Sequence, residues 1–249
     1  MSNYYIELEI VCDETVKLAD NKQTEFNLAL NAISLLFEQR VIYKFTTLQK
    51  IRINLFDDER KLTIYEPDKI SPIAFIEKSF DFDYYFAQNK IERRKIILET
   101  LYEAIVALCE KAGYGLSPFT QAYEKVKELN YENRFIYNKL TSSPNRKHKA
   151  GIQIEVNEEA ADISVVFDTA KQLNNIKILR TLPHYMFIYR FIHKGKWIDN
   201  EHYMVSDKSG QVHFTASLTG GEATVEFTPK NRTAEELKMA LQKIKVNNI

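Results

Sequence analysis

Residues 90–112 read KIERRKIILETLYEAIVALCEKA, the longest segment of this 249-residue chain with apolar side chains at helical spacing and no breaker. Its apolar residues recur every three or four positions, whereas its charged residues occupy the other sides. Asn89 is suited to cap the first turn, with Glu92 three residues later, and Gly113 suits the left-handed residue that ends a helix. We therefore predict a central helix whose buried stripe is Ile97, Leu101, Ile105, Leu108 and Ala112.

A second helix is predicted directly after the central one. Residues 113–115 read GYG, a short turn, and Pro118 stands at the first helical position. Helical spacing then continues to about Asn130. Because two helices joined by so short a turn pack against each other, we predict a helical hairpin.

The segments before the central helix favour strands around one helix. Residues 3–12 alternate as a half-buried strand does, whereas residues 24–39 have helical spacing. The β-rich runs VIYKFTT, KIRINLF and KLTIYE then predict a meander. Residues 73–86, IAFIEKSFDFDYYF, are predicted to continue as a strand that places Phe80, Phe82 and Tyr84 opposite Asp81, Asp83 and Tyr85.

The character of the sequence changes near Tyr131, so we predict two halves, residues 1–131 and 132–249. The second half reads mostly as strands joined by polar turns, and MFIYRFIH, residues 186–193, reads as a central strand. A last helix is predicted from the capping box that begins at Thr233. Together these elements predict an α+β fold: antiparallel sheets packed against the central helical hairpin, with a short C-terminal helix.

Composition limits the possible partners. The 34 basic and 34 acidic residues give a formal charge of zero, so no field of the whole chain attracts nucleic acid or an anionic membrane. The basic run at residues 145–149 could contact phosphates, with Tyr131 and Tyr137 nearby as candidates for base stacking, but we interpret it as a solvated hairpin loop. The chain contains no run of eighteen apolar residues, and its N-terminus has no leader pattern. We expect a cytoplasmic protein without a membrane or nucleic-acid partner.

The sequence contains no recognisable catalytic or metal-binding motif. Cys12 and Cys109 are predicted to be buried reduced thiols, and the histidines lack the paired spacing of metal ligands. We therefore predict no catalytic residue, no metal and no cofactor. The alternative is a hydrolase-like enzyme of unrecognised type that uses histidines and carboxylates of the C-terminal half, with His184, His193 and His202 as the first residues to test.

The segment FDFDYYF, residues 80–86, is the best candidate for an interaction site. Aromatic side chains supply the buried centre of many interfaces, and carboxylates at the rim steer a basic partner toward it. The predicted partner-binding residues are accordingly Asp81, Asp83, Tyr84 and Tyr85.

The layout resembles that of bacterial toxin-immunity proteins. The likeness lies in a strand pattern that ends in FDFDYYF, in the helix RRKIILETLYEAIVALCEKAG, and in the later phrase KWIDNEHYMV. The resemblance implies a non-enzymatic inhibitor that occludes one cognate toxin, and the partner would then be a basic toxin domain. The formal charge of zero departs from the strongly acidic composition often expected of such inhibitors.

Overall fold

A computed structural model describes residues 6–42, 47–169 and 172–227 of the chain. The chain divides into two compact units, Met1–Glu132 (unit 1) and Asn133–Ile249 (unit 2). Helices and antiparallel sheets are both present, which confirms the α+β class. The predicted helix from Thr233 lies outside the described residues. None of the described helices is long and apolar enough to cross a membrane.

Unit 1 contains a four-stranded sheet in the order β1-β2-β4-β3. Strands β1, β2 and β4 are parallel, and only β3 runs antiparallel to its neighbour β4. The predicted meander is therefore wrong in this unit. The elements are β1 (Glu7–Cys12), α1 (Asp20–Glu38), β2 (Lys50–Phe56), β3 (Thr63–Tyr65), β4 (Ile73–Ser79), α2 (Phe82–Ala87), α3 (Lys90–Ala112) and α4 (Ser117–Glu128).

The connection between β1 and β2 explains the parallel pairing. Helix α1 is 19 residues long and carries the chain back to the starting edge of the sheet, so β2 runs in the same direction as β1. The segment VIYKFTT, predicted as a strand, contributes no strand at residues 41 and 42, and residues 43–46 lie outside the described ranges.

Helix α3 confirms the helix predicted for residues 90–112, with its predicted bounds. The side chain of Asn89 accepts hydrogen bonds from the backbone N–H groups of Ile91 and Glu92, at 3.0 and 3.1 Å. Gly113 ends the helix with a φ of 70°, a conformation that glycine adopts without strain. Leu101 is 1 % exposed, in the middle of the buried stripe.

Helices α3 and α4 contact each other through two tyrosines. The rings of Tyr102 and Tyr123 stack with centroids 4.2 Å apart, and the Tyr102 hydroxyl lies 2.8 Å from the hydroxyl of Thr120. The buried residues of α4 are Phe119, Ala122, Tyr123 and Val126. This helix pair and the largely parallel sheet both belong to unit 1, whereas the wholly antiparallel sheets belong to unit 2.

The second half of the predicted strand at residues 73–86 is wrong. Strand β4 ends at Ser79, and the last five residues of FDFDYYF instead belong to the short helix α2, which spans Phe82–Ala87. The aromatic residues of this segment fit two periods at once, because Phe82, Tyr85 and Phe86 also follow helical spacing. Phe82 and Tyr85 are buried on one side of the helix, and both rings contact Phe26 of α1, with centroids 5.1 and 4.9 Å away.

Unit 2 contains two antiparallel sheets, β5-β6-β7-β8 and β9-β10-β11-β12. Trp197 of β9 connects them, because its indole N–H donates to the carbonyl of Thr141 at 2.9 Å and its ring packs 5.6 Å from that of Phe167. The elements are β5 (Asn133–Ser142), β6 (Lys149–Val156), β7 (Ala161–Asp168), β8 (Leu173–Thr181), α5 (Tyr185–Phe191), β9 (Lys194–Trp197), β10 (His202–Ser206), β11 (Val212–Ser217) and β12 (Ala223–Phe227).

The predicted central strand MFIYRFIH is also wrong, since most of it forms helix α5. His184 caps this helix, and its Nδ1 accepts a hydrogen bond from the backbone N–H of Met186 at 3.2 Å. Ile188 and Phe191 are buried three positions apart, while Met186 and Phe187 remain exposed. The apolar run therefore has one buried side, as in a surface helix.

Candidate functional site

The residues predicted for partner binding lie at the start of helix α2. Asp81 is the N-cap, and its carboxylate accepts a hydrogen bond from the backbone N–H of Tyr84 at 2.8 Å. Asp83 lies in the first turn, where a negative charge is favoured by the helix dipole. Both carboxylates therefore have a local structural role that the strand prediction did not include.

The two predicted tyrosines have opposite environments. Tyr84 is 56 % exposed, whereas Tyr85 is only 1 % exposed. The ring of Tyr85 lies 4.9 Å from that of Phe26 and 5.7 Å from that of Phe80, within an aromatic cluster of the core. Tyr85 is therefore a core residue and does not reach a partner, while Asp81, Asp83 and Tyr84 remain accessible.

The structure brings further acidic residues next to Asp81 and Asp83. Strands β2 and β4 are parallel neighbours, so the residues that follow them meet at one edge of the sheet. A cleft of about 640 Å³ lies at this edge. We call it the acidic cleft; it is lined by Lys17, Leu18, Asp57, Asp58, Glu59, Ser79, Phe80, Asp81, Phe82 and Asp83.

The charges of the acidic cleft are strongly one-sided. Five carboxylates line it, and Lys17 is its only basic residue. Asp58 is held by the guanidinium of Arg60, whose Nε and Nη2 lie 2.6 and 2.5 Å from its oxygens. These hydrogen bonds lower the pKa of the Asp58 carboxyl below its ordinary value. Among the described residues, Asp57, Glu59 and Asp83 have no ion-pair partner, so their charges face solvent.

A thiol lies beside the cleft but is poorly suited to nucleophilic chemistry. Burial, together with the charges of Asp13 and Asp57, raises the pKa of Cys12 to about 11. Burial likewise raises the pKa of Cys109 to about 11. Both cysteines are free, although Cys12 is half-buried whereas Cys109 is buried as predicted. At neutral pH both side chains are thiols rather than thiolates.

The histidines of unit 2 make separate local contacts. His184 caps α5, the Nδ1 of His202 lies 2.9 Å from the carboxylate of Asp199, and the backbone N–H of His193 donates to Ser206. Within residues 6–42, 47–169 and 172–227, no three histidine, cysteine or carboxylate side chains are grouped so that they could hold a metal ion. The geometry therefore assigns no shared chemistry to these histidines.

The basic loop at residues 145–149 is an ordered turn. Asn145 accepts hydrogen bonds from the hydroxyl of Ser143 and the backbone N–H of Lys147, at 2.8 and 3.0 Å. Tyr137, the nearest candidate for base stacking, packs against the ring of Tyr189 at 5.6 Å. These contacts stabilise a hairpin loop and leave the Tyr137 ring half-buried.

A charge difference between the two units is hidden in the neutral total. Residues 1–132 contain 17 Lys and Arg against 22 Asp and Glu, whereas residues 133–249 contain 17 against 12. The formal charges of the units are therefore −5 and +5. Counting each predicted half separately would have found this difference, which total composition conceals.

Comparisons of the chain with protein-family models, with characterised proteins and with solved structures found no match.

Proposed function

We propose that this chain is a non-enzymatic, cytoplasmic protein-binding module that captures a basic partner in the acidic cleft, as an immunity protein would occlude its cognate bacterial toxin. One observation carries the proposal: five carboxylates line a cleft of about 640 Å³, and a single lysine accompanies them. A concave surface of one charge sign concentrates the field and attracts ligands of the opposite sign.

The arrangement of the carboxylates supports binding in two ways. Asp57, Glu59 and Asp83 have no ion-pair partner among the described residues, so a basic partner need not displace an existing cation from them. Asp58 and Asp81 are held by their own hydrogen bonds, which reduces the side-chain entropy lost on binding. Such a surface favours fast, salt-sensitive association with a basic protein.

Apolar groups beside the carboxylates favour a protein partner over a simple cation. Phe80 and Phe82 form part of the lining but are only 8 % and 5 % exposed, so the apolar group that a partner can reach is Tyr84, which exposes 56 % of its surface one position after Asp83. Tyrosine is enriched at the centre of protein interfaces, where its ring gives apolar contact and its hydroxyl gives a hydrogen bond. A basic segment with an apolar or aromatic anchor fits this combination best.

The hydrolase-like alternative has weaker support. It depends on His184, His193 and His202, which the described structure engages in three separate local contacts. A catalytic arrangement needs a nucleophile, a base and an orienting group within hydrogen-bond reach of one another. The acidic cleft offers a concave surface with a consistent charge, and the binding hypothesis is therefore preferred.

The first test is capture of partners by the tagged full-length protein from its native lysate, followed by mass spectrometry. We expect one stoichiometric, basic protein that is retained at moderate salt and weakened at high salt. The purified partner is then titrated with the wild-type chain and with Glu59→Gln/Asp81→Asn/Asp83→Asn. Asparagine keeps the cap at position 81, so this variant removes charge while leaving α2 intact.

The matched control is Glu66→Gln/Glu110→Gln/Glu132→Gln, which removes three exposed carboxylates of the same unit outside the cleft. We expect the cleft variant to weaken binding by at least about tenfold, mainly through slower association, and the control to bind as the wild type does. If the captured protein is a toxin, co-expression of the wild-type chain should relieve its toxicity and the cleft variant should not. Equal binding by both variants would reject the cleft as the site.

A further inference from the structure

One run of chain in unit 2 combines unpaired bases with exposed apolar side chains. The chain from Thr169 to Ile198 contains no Asp or Glu but six Lys and Arg residues. Two of these bases share one carboxylate, since Lys177 and Arg180 lie 2.7 and 3.8 Å from the carboxylate of Asp162, which offsets one of their two charges. The remaining bases of the described part of this run are Arg190, Lys194 and Lys196, which are exposed and have no ion-pair partner among the described residues.

Helix α5 adds apolar side chains to these cations. Its inner side is anchored in the core by Ile188 and Phe191, which are 0 % and 5 % exposed. On its outer side, Met186 and Phe187 are 58 % and 38 % exposed, and Leu182, just before the helix, is 46 % exposed. We define the α5 surface as Leu182, Met186, Phe187, Arg190, Lys194 and Lys196.

The direction of strand β9 explains why both lysines point outward. Gly195 and Trp197 face the inside of unit 2, where a side chain at Gly195 would collide with the ring of Tyr203. Because successive strand residues alternate between faces, Lys194 and Lys196 project to the opposite side. The exposed bases and the exposed apolar groups thus occupy consecutive elements, α5 and β9, within seventeen residues of chain from 182 to 198.

We infer that the α5 surface docks on an anionic phospholipid surface. Unpaired Lys and Arg side chains are attracted to anionic headgroups, by roughly fivefold in affinity for each charge near the membrane. Leucine, methionine and phenylalanine side chains gain by entering the boundary between headgroups and acyl chains. A lipid surface accepts protruding apolar side chains without a complementary pocket, which suits residues exposed on one outer side of a short helix.

Nucleic acid offers negative charge too, but fits the α5 surface less well. Binding of single strands depends on exposed aromatic rings that stack on bases. Trp197 turns inward instead, with its ring 5.6 Å from those of Phe167 and Tyr203, and Tyr189 packs against Tyr137. Leu182 and Met186 have no ring to stack, and Phe187 is the only aromatic member of the surface.

The inference is compatible with the neutral charge of the whole chain. Zero net charge predicts no attraction of the whole chain to an anionic membrane. Salt, however, screens electrostatic attraction beyond about a Debye length, roughly 8 Å at physiological salt, so a membrane responds to the charges nearest to it. The bases of this acid-free run of thirty residues can therefore attract anionic headgroups close to them although the net charge of the chain is zero. Docking of this kind is peripheral and needs no helix that spans the bilayer.

The test is co-sedimentation of the full-length chain with vesicles of phosphatidylcholine alone and of phosphatidylcholine mixed with phosphatidylserine. Three variants are compared with the wild type: Arg190→Glu/Lys194→Glu/Lys196→Glu, Met186→Ser/Phe187→Ser, and the control Lys61→Glu/Lys69→Glu/Lys208→Glu. The control changes the net charge by the same amount at three exposed lysines outside the α5 surface. Circular dichroism and Trp197 fluorescence verify folding, and Met186→Gln/Phe187→Gln replaces the serine pair if that pair unfolds.

We expect the wild type to bind the phosphatidylserine vesicles and not the phosphatidylcholine vesicles. The charge variant should bind at least about a hundredfold more weakly, the apolar variant about tenfold more weakly, and the control as the wild type does. The proposal is overturned if the wild type does not bind the anionic vesicles at low salt, or if the control loses as much affinity as the charge variant. It is also overturned if the apolar variant keeps full affinity for the anionic vesicles.

Discussion

Units 1 and 2 contain the same number of basic residues yet carry opposite charges. Each holds 17 Lys and Arg, and the whole difference lies in the acids, 22 in residues 1–132 and 12 in residues 133–249. In unit 1 the excess includes a cleft lined by five carboxylates. In unit 2 the shortage of acids leaves Arg190, Lys194 and Lys196 without partners among the described residues. Local acid content, rather than base content, therefore distinguishes the two surfaces.

The pairing of the strands explains how unit 1 gathers acids at one place. Parallel strands end at the same edge, so the segments after β2 and β4 bring Asp57 and Asp81 into one cleft. Strands β5 to β12 are antiparallel within their sheets and end alternately at opposite edges. Charged residues that follow successive strands of unit 2 are thus separated, and its basic surface arises within one continuous run of chain instead.

Leu101→Asp should have the largest effect on folding stability, and the loss of structure should be confined to unit 1. A charge placed at a position that is 1 % exposed should cost more than about 4 kcal/mol of folding free energy. Trp197 is the only tryptophan of the chain and reports on unit 2, so its fluorescence transition should persist while the helical signal at 222 nm is largely lost. Ile91→Asp, on the same helix at a position 52 % exposed, is the control and should remain folded. A folded Leu101→Asp protein would contradict the assignment of the core.

Phe214→Ala is the corresponding change in unit 2. Phe214 is 0 % exposed on β11, and removal of its ring should cost about 3–5 kcal/mol. The loss of stability should appear as a Trp197 fluorescence transition at a lower denaturant concentration, whereas the transition of the helical signal of unit 1 should change little. Thr215→Ala, the next residue on the opposite face of the strand, serves as control. A shift confined to the helical signal would show that the division into two units is incorrect.

Glu38→Gln should make the stability of unit 1 less dependent on pH. The pKa of Glu38 is raised from 4.5 to about 7, chiefly by burial and further by the charge of Glu7. The hydrogen bond from the backbone N–H of Leu8 and the charge of Lys50 oppose this shift. The folded state therefore holds the proton more tightly than the unfolded chain, and stability falls as the pH rises from 4.5 to about 7.

Glutamine is neutral at every pH and its oxygen can still accept the hydrogen bond from Leu8. We expect Glu38→Gln and the wild type to be equally stable near pH 4.5, and the variant to be more stable at pH 8 by about 3 kcal/mol. Urea unfolding followed by circular dichroism across this range measures the difference. Glu14→Gln, at an exposed position, is the control. A constant difference between variant and wild type at all pH values would refute the shifted pKa.

The smallest expected effect on stability is that of substitutions at Asp81, which distinguish its role as a helix cap from its role in binding. Asp81→Ala removes the N-cap of α2 and should cost about 1 kcal/mol, whereas Asp81→Asn keeps the cap and should be nearly neutral. Thermal unfolding compares the two variants. If the carboxylate also attracts a basic partner, Asp81→Asn should slow association without loss of stability. Equal destabilisation by both changes would indicate that the cap depends on the negative charge.

The parts of the fold that could be predicted are those in which local signals agree. Helix α3 combines a cap at Asn89, an uninterrupted helical stripe and Gly113 at its end, and its bounds were predicted correctly. FDFDYYF and MFIYRFIH failed because dense aromatic and aliphatic runs satisfy the strand and helix periods together. The capping side chains of Asp81 and His184 were the available signals for a helix.

The sequence by itself determined the class of the fold, the long helix α3, and the acidic character of the segment around Asp81 and Asp83, because these depend on residue type and on spacing within one segment. Only the tertiary structure decided that β2 and β4 run parallel, that Asp57 and Glu59 join Asp81 in one cleft, and that Tyr84 faces solvent while Tyr85 is buried. The physical reason is that strand direction and burial depend on contacts between segments distant in sequence, which no local periodicity encodes.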